Sequence, residues 1–170
     1  MLFRSYVIIQ LLASVVASFA VWIVAGGNAA AAHTVLQGVP DFGPHMPIIA
    51  VLAEIIATFF LVFVIFGSAA DPRAHKTGGI AIGLAVTADI LAVGPISGAS
   101  MNPSRNFGCT LVASLLEGGG NLWVRHWVYW VGPVVGAVLA AWVYHAALWP
   151  RDPKRGTEAS AEDVPVTQRA

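Results

Sequence analysis

Four apolar stretches, at residues 3–25, 46–69, 78–96 and 126–149, are each long enough to cross a lipid bilayer as one helix. About 20 apolar residues suffice for such a crossing. Composition agrees: 57% of the 170 residues are hydrophobic and only 11% are charged, whereas a soluble domain carries about 25% charged residues. General disorder, nucleic-acid binding and an ordinary soluble enzyme are excluded on that ground. Nine basic and nine acidic residues cancel, so net charge points to no partner. The single cysteine, Cys109, excludes an internal disulfide framework and a cysteine-rich zinc cluster. The chain reads as an all-α membrane protein. Its membrane domain covers residues 1–150, and the polar tail 151–170 is expected to be disordered and cytoplasmic.

The first stretch shares one early arginine and an apolar run with secretory signal peptides. It continues through Trp22 to Ala25 without a clean small-residue cleavage site, and its length suits a span. With the N-terminus inside, four spans return the C-terminus inside. Inner segments then hold Arg4, Arg73, Lys76, Arg151, Lys154, Arg155 and Arg169, against Arg105 and Arg125 outside. Seven against two is the bias of cytoplasmic loops, and the expected location is the plasma (cell inner) membrane. Trp22, Trp123, Trp127 and Trp149 fall near span ends, where aromatic belts sit. Small residues four apart predict close helix packing: Ala13/Ala17, Ser14/Ser18, Ala53/Ala57, Gly79/Gly83 and Gly132/Gly136.

Residues 97–120, SGASMNPSRNFGCTLVASLLEGGG, are too short and too polar at their start to span. Asn102 is a strong N-cap, and Pro103 at the first helical position loses no intrahelical bond. Residues 104–116 then make about three helical turns, closed by Gly118, Gly119 and Gly120. A helix of that kind between spans predicts a re-entrant half-helix. Such backbone is tolerated at membrane depth only when buried in protein or lining a wet cavity.

Glu54, Asp89 and Arg105 lie at membrane depth, where each is costly unless paired or wetted. The loop before Asn102 has backbone N–H groups to satisfy, so Glu54 is expected to accept from them; a proton relay is the alternative. Arg105 sits at the first turn of the half-helix, where a cation opposes the helix dipole. Stability gives no reason for it. A pore does: a fixed guanidinium and a helix N-terminus repel cations and protons while donating hydrogen bonds to neutral solutes. The alternative is a surface arginine that snorkels. Asn102 would donate its amide into the same space.

These residues carry a resemblance. GPISGASMNPSRNFG resembles the second signature loop of the aquaporin (major intrinsic protein) family, with Asn102, Pro103, Ser104 and Arg105 at the place of the usual Asn-Pro-Ala and Arg. Gln10 matches the glutamine of the family's third span, and Glu54 matches its loop-holding glutamate. The resemblance implies an aquaporin-like bundle: spans three to six plus the second half-helix, from Phe3 to about Trp149. The family has six spans as inverted repeats. Its first two spans and first Asn-Pro-Ala loop have no counterpart here, so a lone copy is not expected to enclose a complete pore. A fragment, a misplaced start and a natural short form all remain open.

By the same resemblance, the family's narrow filter falls at Ile90, Ala99 and Arg105, with a fourth position on a missing span. Ile90 stands where strict water channels have a histidine, and Ala99 is small, which implies a wider, less polar passage. That pattern resembles nodulin-like intrinsic proteins and aquaglyceroporins, channels for glycerol-like polyols, urea and undissociated metalloid acids. Asn106, where aquaglyceroporins have Asp, and the pair Tyr129 and Trp130 resemble water-type members instead. The implied function is a passive channel for water and small uncharged solutes, a homo-oligomer (tetramer) in the lipid bilayer. The alternative is a non-conducting subunit that assembles with full-length relatives. No paired acid and base, nucleophile constellation or phosphate loop suggests an enzyme, and no cofactor or metal is implied. A third reading uses Glu54 and Asp89 for intramembrane catalysis or proton-coupled transport. Asp89 lies about 100° around its helix from Ile90. Cys109 reads as a small buried hydrophobe, and His33, His45 and His75 as solvated loop residues.

Overall fold

The computed structural model describes residues 2–74, 77–118 and 122–150. His75, Lys76, Gly119, Gly120 and the expected disordered tail at 151–170 lie outside the described residues. All regular structure among the described residues is helical. The order is α1 (Leu2–Val24), α2 (Ala29–Gln37), α3 (Pro47–Ile65), a π-helical turn (Phe66–Ala70), α4 (Gly78–Ser97), α5 (Pro103–Glu117) and α6 (Val128–Ala147). Four of these, α1, α3 with its π turn, α4 and α6, are long and apolar enough to cross a membrane. They coincide with the four apolar stretches to within a few residues.

The helix ends follow local chemistry. α3 starts with Pro47 at its first position. α4 stops at Gly98 and α5 at Gly118, both left-handed, with φ of 77° and 75°. α2 was not anticipated. It is one short helix in the loop between the first two spans, and the Asn28 side chain caps it by accepting from Ala31 N at 3.0 Å. Trp22 Nε1 donates to Asn28 O at 3.1 Å and pins the turn between α1 and α2.

Two packed units form. In one, α3 lies between α6 and α4. Gly132 and Gly136 let α6 approach so closely that a Cβ on either would collide with Glu54 or with the Ile55 backbone. Phe42, Ala50, Val51, Val128 and Tyr129 fill that core. In the other, α1 and α2 pack on α5 around Val35, Val112 and Ala113. Gly108 there touches the Ser14 backbone. The small-residue expectation thus holds at Gly132/Gly136, at the buried Ala53/Ala57 and at Ser14/Ser18. It does not hold within this chain at Gly79/Gly83, which face open space. Large apolar side chains such as Ile8, Leu12, Leu84, Leu91, Val138 and Trp142 point outward from the bundle, which suits helices facing lipid rather than water.

A latch ties the end of α3 to the end of α6. The π turn closes with Asp71 N donating to Phe66 O at 2.8 Å. Asp71 then accepts from Arg73 Nε and Nη2 (2.9 and 2.7 Å) and from the Tyr144 hydroxyl (2.8 Å). Arg73 Nη2 also donates to Leu148 O at 2.6 Å. The Arg73 guanidinium holds the Asp71 carboxyl well below the usual carboxylate range; burial opposes the shift, and the Arg73 N–H and Tyr144 hydroxyl add to it.

Candidate functional site

The segment between α4 and α5 is where the sequence places its unusual residues, and the structure builds it around Glu54. This carboxylate is fully buried. It accepts from Ser97 Oγ at 2.7 Å, Ser100 N at 2.9 Å and Met101 N at 2.7 Å. Both Glu54 oxygens thus accept backbone N–H groups of the loop. Ser97 is held further by the Tyr129 hydroxyl, which donates to its carbonyl at 2.8 Å. Glu54 is the eighth residue of α3, so the loop is anchored about 10 Å along that helix from its start. The tip of α5 therefore lies within the length of α3, not beyond its end.

The same bonds hold strained backbone. Ala99 and Met101 are left-handed, with φ of 45° and 50°. Non-glycine residues persist there only when the surroundings over-determine them. Ala99 N donates to Ser97 Oγ at 3.3 Å, and the next two N–H groups go to Glu54. In a trans peptide the carbonyl points opposite to its N–H. The carbonyls of Ala99 and Ser100 are therefore turned away from Glu54, and Gly98, Ala99 and Ser100 line a groove.

α5 begins as expected. Asn102 Oδ1 accepts from Ser104 N (2.9 Å) and Arg105 N (3.2 Å), with Pro103 in the first turn. That occupies the amide oxygen, and the Nδ2 hydrogens remain to donate. Asn102 and Arg105 are both exposed. The Arg105 guanidinium makes no hydrogen bond or ion pair with any described residue.

Ile90, Ala99, Asn102 and Arg105 converge on one groove of about 310 Å³, whose other lining includes Leu61 and Val86. The groove sets apolar side chains from α3 and α4 opposite carbonyl acceptors and two cationic or amide donors. A second groove of about 400 Å³ meets it at Asn102 and Arg105 and runs between α1, α2 and α5 past Gln10, Ser14 and Cys109. Pro103 lies in the first turn and Ser104 borders only the second groove. Cys109 is half-buried and takes a 3.6 Å contact from Ser18 Oγ. Asp89 is buried on α4, outside the lining of both grooves, and its Oδ2 has no partner among the described residues.

Sequence reasoning passed over one polar cluster on the far side of α5. Asn106 and Thr110, buried at helical spacing, meet His126 just before α6. Asn106 and Thr110 sit four residues apart on α5, and only their burial sets them apart. His33, read as solvated, is exposed but lies 3.7 Å from Glu117.

Bilayer-length helices around a carboxylate-anchored loop and a capped half-helix define an integral membrane protein of the helical-bundle class. The family model described as Major intrinsic protein matches residues 3–144, and the chain belongs to that family. It is 45% identical over 142 residues to Aquaporin TIP2-1 of Arabidopsis thaliana, covering 82% of this chain and 52% of that protein. It is 39% identical over 161 residues to Aquaporin TIP1-2 of Zea mays (93% and 58%), and 41% identical over 149 residues to Aquaporin TIP4-1 of Arabidopsis thaliana (86% and 55%). The chain thus spans about half the length of the curated relatives it matches. These relatives are TIP-type aquaporins, not nodulin-like proteins or aquaglyceroporins.

Proposed function

We propose that the groove at Ile90, Ala99, Asn102 and Arg105 is one wall of a passive membrane channel for water and small uncharged solutes. The observation that carries this reading is the convergence of those four residues on one groove, with the Arg105 guanidinium uncommitted. A solute there would accept from Arg105 and the Asn102 amide and donate to the loop carbonyls. Cations and protons would meet a fixed positive charge at a helix N-terminus. Ile90 supplies no hydrogen bond, which favours solutes with apolar carbon edges, such as glycerol-like polyols and urea, and also undissociated metalloid acids. Relatives named aquaporins support water passage most directly. Nothing in the groove calls for a metal or cofactor.

A guanidinium facing lipid costs a few kcal/mol, so the groove is read as one closed by further protein. By family resemblance the chain belongs to a homo-oligomer, a tetramer in which each subunit has its own pore, in a cell membrane with both termini cytoplasmic. The open groove also favours a second reading, a subunit that does not conduct by itself and pairs with longer relatives.

Stopped-flow swelling of vesicles containing the folded protein separates the two. Water permeability above that of empty vesicles supports the channel. Permeability equal to empty vesicles, with the helical spectrum intact and a longer relative co-purifying, supports the second reading.

A further inference from the structure

Asn106 follows Arg105 directly on α5 and is 1% exposed, so it faces the protein interior where Arg105 faces the groove. Thr110 Oγ1 donates to Asn106 Oδ1 at 3.2 Å. The amide nitrogen is thereby directed the other way, and Asn106 Nδ2 lies 2.9 Å from His126 Nδ1. An amide nitrogen can only donate, so Nδ1 must be the acceptor and the ring must be neutral with its proton on Nε2. Rings of Phe107, Trp123 and Trp130 enclose the imidazole, with centroids 6.3, 4.9 and 6.2 Å away. Nε2 is buried without a partner among the described residues. An orphaned buried N–H costs free energy, so the Nδ1 contact is the hydrogen bond that holds the ring among the described residues.

We propose that His126 is a positioning residue for the channel: by accepting the Asn106 amide it fixes the rotation of the first turn of α5, and with it the aim of Arg105 into the groove. Fixing one side chain of a helical turn on the buried face sets its neighbour 100° away. Among the described residues the contact is the one side-chain hydrogen bond between the half-helix and the segment leading into α6, and it sits one residue from the filter arginine. The charged groups on the surrounding elements do not compete for the ring. The Arg105 guanidinium on α5 bonds no described residue, and Arg125 in the loop before α6 is taken by Asp41 at 2.8 Å and stacks on Phe42. Burial pushes the His126 pKa below its ordinary value.

This inference rests on the channel reading for its consequence but not for its contact, and the test keeps them apart. The full chain, labelled with ¹⁵N at histidine and arginine, is examined by NMR in lipid. The expected result is a His126 ring with Nδ1 unprotonated and Nε2 protonated, titrating below about 6.5, the ordinary histidine value. In Asn106→Asp the acceptor faces Nδ1 instead, so Nδ1 gains a proton and the ring titrates above the wild-type value. In His126→Phe the Arg105 Nε resonance moves, and His126→Asn, whose Oδ1 replaces Nδ1, returns it toward wild type. A protonated Nδ1 in the wild type, or an Arg105 resonance indifferent to all three variants in folded protein, overturns the inference. In the swelling assay, His126→Phe is expected to change the glycerol-to-water permeability ratio by about tenfold, the effect of ~1.4 kcal/mol, and His126→Asn to restore it. An unchanged ratio in a conducting His126→Phe overturns the positioning role. A wild type that does not conduct counts against the channel alone, and the resonances then decide the contact.

Discussion

Replacing Glu54 with glutamine tests the loop anchor with the least change of shape. One oxygen of the carboxylate accepts two donors, Ser97 Oγ and Ser100 N, and the other accepts Met101 N. Glutamine keeps one oxygen and turns the other position into a donor. With the oxygen on the Ser97 side, Met101 N–H faces an NH₂ group; with the amide flipped, Ser100 N–H does. Either way one buried backbone N–H loses its acceptor, and the remaining bonds lose their charge. An orphaned buried donor costs about 1–3 kcal/mol, and charge-assisted bonds exceed neutral ones by up to ~1.5 kcal/mol. Glu54→Gln should therefore destabilise the folded protein by about 2–4 kcal/mol. The loss should also release the left-handed Ala99 and Met101. The assay is unfolding in mixed micelles, followed by helical circular dichroism, with Ser97→Ala alongside as a variant that removes only the hydroxyl. A loss below about 0.5 kcal/mol, the scale of an inconsequential surface change, would refute the view that Glu54 holds the loop in shape.

Other outcomes follow from the same geometry. Gly136→Ala should cost about 1–3 kcal/mol, because the added methyl meets the Ile55 backbone; Gly79→Ala, facing open space, should be neutral or slightly stabilising in the same unfolding assay. Asp71 has a depressed folded pKa, so the stability it contributes is fully present above its unfolded value of about 3.9 and drains away as pH falls below that. Asp71→Asn should flatten the acid limb of a stability–pH curve, and an unchanged limb would show that the latch contributes nothing. Arg105→Ala should let protons or cations cross vesicles that enclose a pH-sensitive dye. Ile90→His should lower glycerol passage relative to water; a constant ratio would remove Ile90 from the solute path.

The parts of this fold that sequence reveals are those set by one strong local rule. Four apolar runs of bilayer length point to four spans, and Asn102-Pro103 reads as a helix start. Glu54 is legible because a carboxylate in mid-span must find donors, and the irregular loop was the place with donors to spare. α2 was hidden because AAAAHTVLQ is too short to span. The Asp71–Arg73–Tyr144 latch depends on residues about 70 positions apart whose meeting no local pattern announces. His126 was obscured because its partner Asn106 stands out only once both are known to be buried. The filter position Ile90 came from family resemblance, and no periodicity in α4 singles it out.

The π turn at Phe66–Ala70 has a consequence for how the chain can vary. Such a turn accommodates one residue more than the regular spiral around it, so everything beyond it is swung by roughly a quarter of a revolution. Asp71 reaches Tyr144 only in that displaced phase. Deleting a single residue there would heal the spiral and carry the carboxylate away from the hydroxyl. The bulge and the latch are therefore gained or lost as one unit.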